Sequence, residues 1–291
     1  MYALNLEECK DLILSIGSKR TVLLQGDMGN GKSSVLHMLA KDLPNHIPCY
    51  VDCTTKDLGD IMMPKFKANG EQDYVSFVPN EEFGMHIKDK PIIMDLDEFG
   101  KANKSVKMAL TRLTLERQLG SNKLHPDSII FATTNKGSEG VGDILEPHQR
   151  DRLVIVNVRK TSNTEWLAWG LNNGINPSIL GWVKDTPQLF HSFEDVKTPD
   201  DNPYIFHPNQ QRTSFVTPRS LHMASDLVHQ RDTLGDNILT SALMGTIGDR
   251  GALDLMAYVK LIDKHQAMVM TNQKFTEWAM KNQHLYQADK K

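Results

Sequence analysis

The residues most suited to chemistry lie in a glycine-rich stretch at positions 21–34, TVLLQGDMGNGKSS. An apolar run precedes its first glycine, and an amphipathic segment, VLHMLAKDL, follows its last serine. Gly26, Gly29 and Gly31 allow backbone angles that a Cβ atom would penalise, so successive amides of the loop can point inward. These amides and the positive end of the following helix would form a cradle for a phosphate anion.

Two side chains at the end of the stretch complete the pattern GxxxxGK[ST]. Lys32 would reach the β- and γ-phosphates of a nucleoside triphosphate, and the Ser33 hydroxyl would bind magnesium. The alternative is a glycine-rich turn that only caps a helix, but the strand, the glycines and the Lys-Ser pair occur together, which favours the phosphate loop. The predicted nucleotide-binding residues are Gly26, Asp27, Met28, Gly29, Asn30, Gly31, Lys32, Ser33 and Ser34.

A second apolar run, KPIIMDLDEF at residues 90–99, ends in acidic residues. We expect Asp97 to hold the magnesium shell and Glu98 to polarise an attacking water. Asp95 lies two residues before Asp97 and therefore faces the same side of the strand. Asp95 either orients the ligands of the magnesium ion without binding the ion itself, or it has only a structural role. Acidic clusters at strand ends are usually solvated, so the assignment depends on the phosphate loop that precedes it.

Four polar residues further along the chain are candidates for sensing the nucleotide. Asn135 follows the apolar run SIIFAT and could orient water, although it could also be an ordinary turn residue. Arg150 and Arg152 precede another apolar run, where they either form a solvated rim or face a phosphate of a neighbouring subunit. Arg219 follows Thr-Pro, an N-cap and first-turn pair, which predicts that it stands at the start of a helix.

Composition limits the class of protein. The chain has 291 residues and a net charge of −3, so no global basic field draws it to nucleic acid. It has no apolar run that approaches a membrane span and no signal-peptide layout, which predicts a cytoplasmic location, or the host cytoplasm for a viral source. Cys9, Cys49 and Cys53 are too few and too scattered for a disulfide framework, and we expect buried reduced thiols.

The pattern of elements predicts an α/β fold with a helical second domain. Alternating strands and helices fill residues 1–158, while residues 159–291 read as helices whose core holds tryptophans at positions 166, 169 and 182. Asn69-Gly70 predicts a hairpin, and residues 101–119 have the spacing of a long amphipathic helix.

Taken together, these motifs resemble an AAA+ ATPase, and within that group the MoxR and CbbQ-like branch. The order is that of the family: GDMGNGKS as Walker A, IIMDLDE as Walker B, ATTN as sensor one, EPHQRDR as the arginine-finger region and TPRS as sensor two. FVPNEEFGMHI, the Asn-Gly hairpin, LGSNKLHPDSIIFATTN and TEWLAWGLNNGINPSIL favour this branch. The loop departs from the family at Asp27, Met28 and Asn30, and Asp95 adds a charge before Walker B.

The resemblance implies a P-loop NTPase of three αβα layers around a parallel sheet, with a small α-helical lid domain. It implies ATP and Mg2+ as cofactors, Asn135 as sensor one, Arg219 as sensor two, and either Arg150 or Arg152 as the finger that completes a neighbour's site. It also implies a homo-oligomer, a hexameric ring, and suggests a partner protein with a von Willebrand factor A domain.

The first interpretation of function is an ATP-hydrolysing chaperone or remodelling motor that acts on a protein client through loops near Lys65 and Phe66. The alternative is a nucleic-acid motor or loader of the same fold, with which the run Lys101, Lys104 and Lys107 is compatible. A nucleotide-binding switch that hardly hydrolyses ATP is disfavoured by the intact Glu98. A small-molecule kinase is disfavoured further, because it needs neither sensor-two nor finger arginines.

Overall fold

A computed structural model describes residues 2–68, 73–135, 145 and 147–281 of the chain. These residues form two compact units, Met1–Thr161 and Ser162–Lys291. The strands are β1 (Ala3–Leu4), β2 (Val22–Gly26), β3 (Ile47–Asp52), β4 (Met62–Ala68), β5 (Asp73–Pro79), β6 (Ile92–Asp97), β7 (Gln118–Leu119), β8 (Asn122–Lys123), β9 (Ile129–Asn135) and β10 (Val154–Val158). The helices are α1 (Leu6–Ile16), α2 (Ser34–Asp42), α3 (Leu58–Ile61), α4 (Lys104–Glu116), α5 (Pro147–Arg150), α6 (Asn163–Leu171), α7 (Pro177–Asp185), α8 (Pro218–His229) and α9 (Arg231–Lys281).

The first unit is built on a six-stranded parallel sheet in the order β1-β10-β2-β9-β6-β3. Its central strands read as nearly continuous apolar runs because helices cover both faces. Ile93 and Phe131 pack with α1 and α2 on one face. Leu96 and Ala132 pack with α4 on the other face. The unit is therefore the three-layer αβα arrangement that the sequence predicts.

Two hairpins project from this unit. β4 and β5 pair antiparallel around Asn69-Gly70, as predicted, although the Asn-Gly tip itself lies outside the described residues. β7 and β8 form the second hairpin. This corrects the predicted helix at residues 101–119: α4 ends at Glu116, because Arg117 adopts a left-handed conformation (φ 57°) and Gln118 and Leu119 become a strand. Leu119 is a core residue in the hairpin, and it would also be one in a helix that continued to residue 119. The spacing of apolar residues therefore could not show where the helix ends.

The second unit is helical and has its own apolar core. Trp166 and Trp182 are buried in it as predicted, whereas Trp169 is 43% exposed. α8 begins as the sequence indicates: the Thr217 hydroxyl accepts a hydrogen bond from the Ser220 amide at 3.0 Å, and Pro218 occupies the first turn. No helix in the described parts of the chain is both long and apolar enough to cross a membrane.

Candidate nucleotide-binding site

The glycine-rich loop connects β2 to α2 at the carboxyl edge of the sheet. Gly29 and Gly31 have φ of 67° and 80°, which a residue with a Cβ rarely adopts. At Gly26 the requirement is space, because a Cβ there would lie 3.0 Å from the Cβ of Val158. The three glycines thus allow the chain to turn closely in front of the N-terminus of α2, the geometry that suits an anion.

Lys32 is almost completely buried and is anchored across the loop. Its Nζ donates to the carbonyl oxygens of Gly26 and Asp27 at 2.9 and 2.8 Å. It also donates to Oδ1 of Asn135 at 2.8 Å. These acceptors offset the cost of burying the ammonium group and hold it inside the loop, next to the end of β9.

Two further loop residues use their side chains to hold the backbone. Asn30 Nδ2 donates to the carbonyl of Arg159 at 2.9 Å, and Asn30 Oδ1 accepts from the amide of Thr161 at 2.9 Å. Ser34 Oγ donates to the carbonyl of Gly31 at 2.6 Å. In this arrangement both side chains bond to the backbone and hold the loop in place.

Asp97 is the meeting point of three hydroxyl groups. Ser33 Oγ lies 3.3 Å and Tyr50 Oη 2.8 Å from Oδ2 of Asp97, and both donate to it. Thr133 Oγ1 donates to the other carboxylate oxygen, Oδ1. The adjacent Ser33 hydroxyl and Asp97 carboxylate are hard oxygen donors that fit Mg2+. In the parts of the chain that the structure describes, no cluster of three or more His, Cys, Asp or Glu side chains could hold a metal ion, so the remaining ligands would come from phosphates and water.

Glu98 is held in a strained backbone conformation with φ 51° and ψ 35°. Its amide donates to Thr133 Oγ1 at 3.3 Å. Its Oε1 accepts from Asn135 Nδ2 at 3.0 Å, and Lys101 Nζ forms an ion pair with Oε2 at 3.0 Å. A left-handed glutamate costs about 1–3 kcal/mol, and such strain persists where the surrounding contacts determine it. The conformation aims the carboxylate toward Asn135 and thus toward Lys32.

Asp95 is fully buried, and neither of its carboxylate oxygens has a hydrogen-bond partner among the described residues. Burial, with a smaller contribution from the charge of Asp97, raises the pKa of the Asp95 carboxyl well above its usual range. In the register of β3 and β6, Tyr50 lies opposite Asp95. Burial and hydrogen bonding to Asp97 raise the pKa of the Tyr50 hydroxyl as well, so this hydroxyl remains a proton donor.

The predicted arginines stand at the end of α5, in the turn that follows it and at the start of α8. Arg150 and Arg152 are exposed and separated by Asp151, and Arg150 Nε donates to the carbonyl of Leu145 at 3.0 Å. Arg219 is exposed in the first turn of α8, within the second unit. The structure therefore brings together Lys32, Ser33, Asp97, Glu98 and Asn135.

Sequence reasoning missed three residues of the site. Tyr50 and Thr133 bond to Asp97, and Lys101 pairs with Glu98. Thr133 could have been found, because it lies two residues before Asn135 and faces the same side of its strand. Lys101 stands three residues after Glu98, but its run with Lys104 and Lys107 indicates a basic row and not an ion pair with Glu98. No local pattern in the sequence predicts that Tyr50 contacts Asp97, because its position depends on the pairing of β3 with β6.

The strand order, the glycine loop between β2 and α2, and the acidic end of β6 are those of the three-layer αβα fold of P-loop NTPases, and a helical region follows. No protein-family model and no curated protein sequence matches the chain.

Solved structures with a similar course of the backbone share little sequence with this chain. One is a protein from Cytophaga hutchinsonii described as an ATPase, with 18% identity over 58% of this chain and 50% of that one (TM-score 0.41). Another is a mutant of RuvB from Thermotoga maritima, with 16% identity over 88% and 73% of the two chains (TM-score 0.43). A third is the RuvB Holliday junction branch migration motor of the same organism, with 15% identity over 87% and 67% (TM-score 0.38). The chain thus spans half the length of the Cytophaga protein.

Proposed function

We propose that the protein is an ATP-hydrolysing, MoxR-like AAA+ motor that works as a ring-shaped homo-oligomer, a hexamer, on a protein client. The observation that carries the ATPase is the convergence of Lys32, Ser33, Asp97, Glu98 and Asn135 at the carboxyl edge of the sheet. These are the side chains that phosphate binding, magnesium binding and activation of water require.

In the proposed reaction, the loop amides and Lys32 would bind the β- and γ-phosphates, and Ser33 and Asp97 would hold Mg2+. The metal ion would neutralise charge that develops on the phosphate oxygens. Glu98 accepts the proton of the attacking water, while Asn135 orients the Glu98 carboxylate through the hydrogen bond at 3.0 Å. Lys32 must exchange some of its present carbonyl acceptors for phosphate oxygens, which the flexible lysine side chain permits.

The ring remains part of the proposal. Arg150 and Arg152 are both exposed on the first unit, and one of them would complete the site of a neighbouring subunit as the arginine finger. Arg219, in the second, lid-like unit, is assigned to sensor two. A partner with a von Willebrand factor A domain is proposed from the resemblance alone.

The client would contact the hairpin of β4 and β5, which exposes large apolar side chains. Phe66 is 81% and Met63 61% exposed, and Phe77 and Val78 are each about half exposed. Apolar patches of this kind on a soluble protein are typical of interaction sites.

One observation weighs against the alternative of a nucleic-acid motor. Two of the three lysines in the run that suggested it are engaged within the protein: Lys101 pairs with Glu98, and Lys107 Nζ donates to the carbonyl of Gly100 at 2.7 Å. A phosphate-binding row needs its ammonium groups directed to solvent.

The decisive experiment is ATP turnover against protein concentration, for wild type, for Glu98→Gln, and for wild type mixed with the double variant Arg150→Ala, Arg152→Ala. We expect specific activity to rise with concentration, Glu98→Gln to lower it at least about 100-fold, and the arginine variant to suppress its wild-type neighbours. Turnover that is independent of concentration and of both arginines would contradict the shared site and leave a monomeric ATPase.

A further inference from the structure

A cavity of about 340 Å3 lies at the edge of the sheet opposite to the nucleotide site. It is lined by residues of segment 84–92, which leads into β6, and by residues of segment 121–128, which leads into β9. Because both strands are parallel, these segments stand at their amino ends, whereas Asp97 and Asn135 stand at their carboxyl ends. Its size is in the range of pockets that bind small ligands or a few residues of a peptide.

The cavity is cationic, although the protein as a whole is acidic. Lys88, Lys90, Lys123 and His125 line it, and its lining includes neither aspartate nor glutamate. The three lysines are exposed, and none forms a salt bridge with any described residue. His125 differs, because its Nδ1 lies 3.9 Å from a carboxylate oxygen of Asp127. The lysines therefore supply three ammonium groups around one concave site in a chain with a net charge of −3.

The lining of the cavity includes apolar side chains that belong to the core of the first unit. Met85 and Ile92 are buried, and the Ile92 amide donates to Ser128 Oγ at 3.1 Å. Gly84 has φ of 63°, and a Cβ there would lie 2.7 Å from Sγ of Cys49, so only glycine lets the segment pack this closely on the core. A ligand would thus meet apolar surface below and ammonium groups at the rim.

We propose that this cavity binds an acidic segment of a partner protein, with one apolar side chain on the floor and neighbouring Asp or Glu carboxylates on Lys88, Lys90 and Lys123. A peptide is favoured over nucleic acid because the lining contains no Phe, Tyr or Trp side chain, because its one imidazole, that of His125, lies 3.9 Å from Asp127, and because the lysines surround a pocket and do not follow a groove. The site is separate from the nucleotide site and does not depend on ATP hydrolysis.

The test uses the full-length protein and a fluorescein-labelled peptide of alternating Glu and Leu. Binding is measured by fluorescence anisotropy for wild type, for Lys88→Glu with Lys123→Glu, and for a control with the same change of charge, Lys184→Glu with Lys274→Glu, whose side chains are exposed elsewhere. Thermal unfolding verifies that every variant folds. We expect the cavity variant to weaken binding at least about tenfold and the control to change it less than about twofold.

Two further probes and one further variant decide what the cavity recognises. A Gln-Leu peptide should bind at least about tenfold more weakly than the Glu-Leu peptide, because it lacks the carboxylates. A thymidine oligonucleotide of equal charge should bind more weakly than the Glu-Leu peptide, and the reverse order would overturn the proposal in favour of nucleic acid. Equal weakening by the cavity and control variants would overturn it as nonspecific attraction. Glu98→Gln should bind the peptide like wild type, so loss of ATPase activity and loss of this site are separable.

Discussion

Asn135 connects the residue that would bind phosphate with the residue that would activate water. Its Oδ1 accepts from Lys32 Nζ at 2.8 Å, and its Nδ2 donates to Glu98 Oε1 at 3.0 Å. The Asn135 amide therefore orients two groups of opposite charge, the Lys32 ammonium and the Glu98 carboxylate, and it links them through its two hydrogen bonds. In the proposed reaction, this arrangement would couple the position of Glu98 to a phosphate bound by Lys32.

We predict that Asn135→Ala lowers ATP turnover about 10–100-fold, because hydrogen bonds to charged groups contribute about 1.5–3 kcal/mol and about 1.4 kcal/mol corresponds to a factor of ten. Nucleotide affinity should change far less, since the loop amides stay in place. Turnover and binding of a fluorescent ATP analogue measure the two effects. Asn173→Ala is the control, because that side chain is exposed in the second unit and donates a hydrogen bond to the carbonyl of Trp169. Turnover within twofold of wild type would contradict the role of Asn135.

The buried Asp95 carboxyl leads to a second prediction at the level of single residues, which concerns the stability of the protein as a function of pH. Its pKa is raised in the folded protein, while in the unfolded chain it ionises near pH 4. The folded state therefore loses stability relative to the unfolded state as the pH rises above about 4. Asp95→Asn removes this loss, and we expect its free energy of unfolding at pH 8 to exceed that of wild type by about 1–3 kcal/mol.

The measurement is urea denaturation at pH 5 and pH 8, without nucleotide or magnesium, and the gain should be smaller at pH 5. Asp127→Asn serves as control, because that side chain is 78% exposed. If Asp95→Asn is less stable than wild type at pH 8, the Asp95 carboxylate is ionised and paired in the folded protein, and the pKa argument is wrong.

The phosphate loop is the element on which the candidate site depends. It needs positive φ at Gly29 and Gly31, and it is fastened to the residues after β10 through the side chain of Asn30. β2, β9 and β10 are neighbours in the sheet. The loop is consequently supported by the strand that precedes it and by the strands on either side.

Gly31 and Gly174 form a matched pair for a test of the loop. Their φ values are 80° and 71°, but a Cβ on Gly31 would lie 3.2 Å from Leu6 Cδ1, whereas one on Gly174 would meet nothing within 4 Å. We predict that alanine at either position lowers the free energy of unfolding by about 1–2 kcal/mol through backbone strain. Only Gly31→Ala should also weaken nucleotide binding. Equal nucleotide affinity for both variants would contradict the assignment of the loop.

At the scale of the whole molecule, the reactivity of the three cysteines can measure how often the first unit opens, because all three lie in that unit. Cys9, Cys49 and Cys53 are free and buried, which confirms the expectation from the sequence. Burial raises the pKa of Cys9 and of Cys49 to about 11 and raises that of Cys53 as well. Since the thiolate is the reactive form, the native thiols are both inaccessible and protonated at neutral pH.

We therefore predict that none of the three thiols reacts with a disulfide reagent at pH 8 within minutes, and that all three react in concentrated urea. The rate in native buffer should follow opening of the first unit and slow when nucleotide stabilises it. Rapid reaction of one thiol per chain in native buffer would show that a part of the core near that cysteine opens on its own.

Local patterns in the sequence were sufficient for the phosphate loop, the acidic end of β6, the start of α8 and the αβα class. Each of these depends on neighbours within a few residues: glycines where φ is positive, an apolar run before Asp97 and a capping hydroxyl before Pro218. Such features are determined by backbone sterics and local hydrogen bonds, so they can be predicted from the sequence without knowledge of the fold.

Only the tertiary structure decided what surrounds Asp97 and where α4 ends. Tyr50 and Thr133 reach Asp97 because β3, β6 and β9 pair in one register, and that register is set by burial across the entire sheet. Helix α4 stops at Glu116, where a left-handed Arg117 turns the chain so that Leu119 enters the core from a hairpin. The cationic cavity likewise joins segments about 35 residues apart, 84–92 and 121–128, that only the parallel order of β6 and β9 brings together.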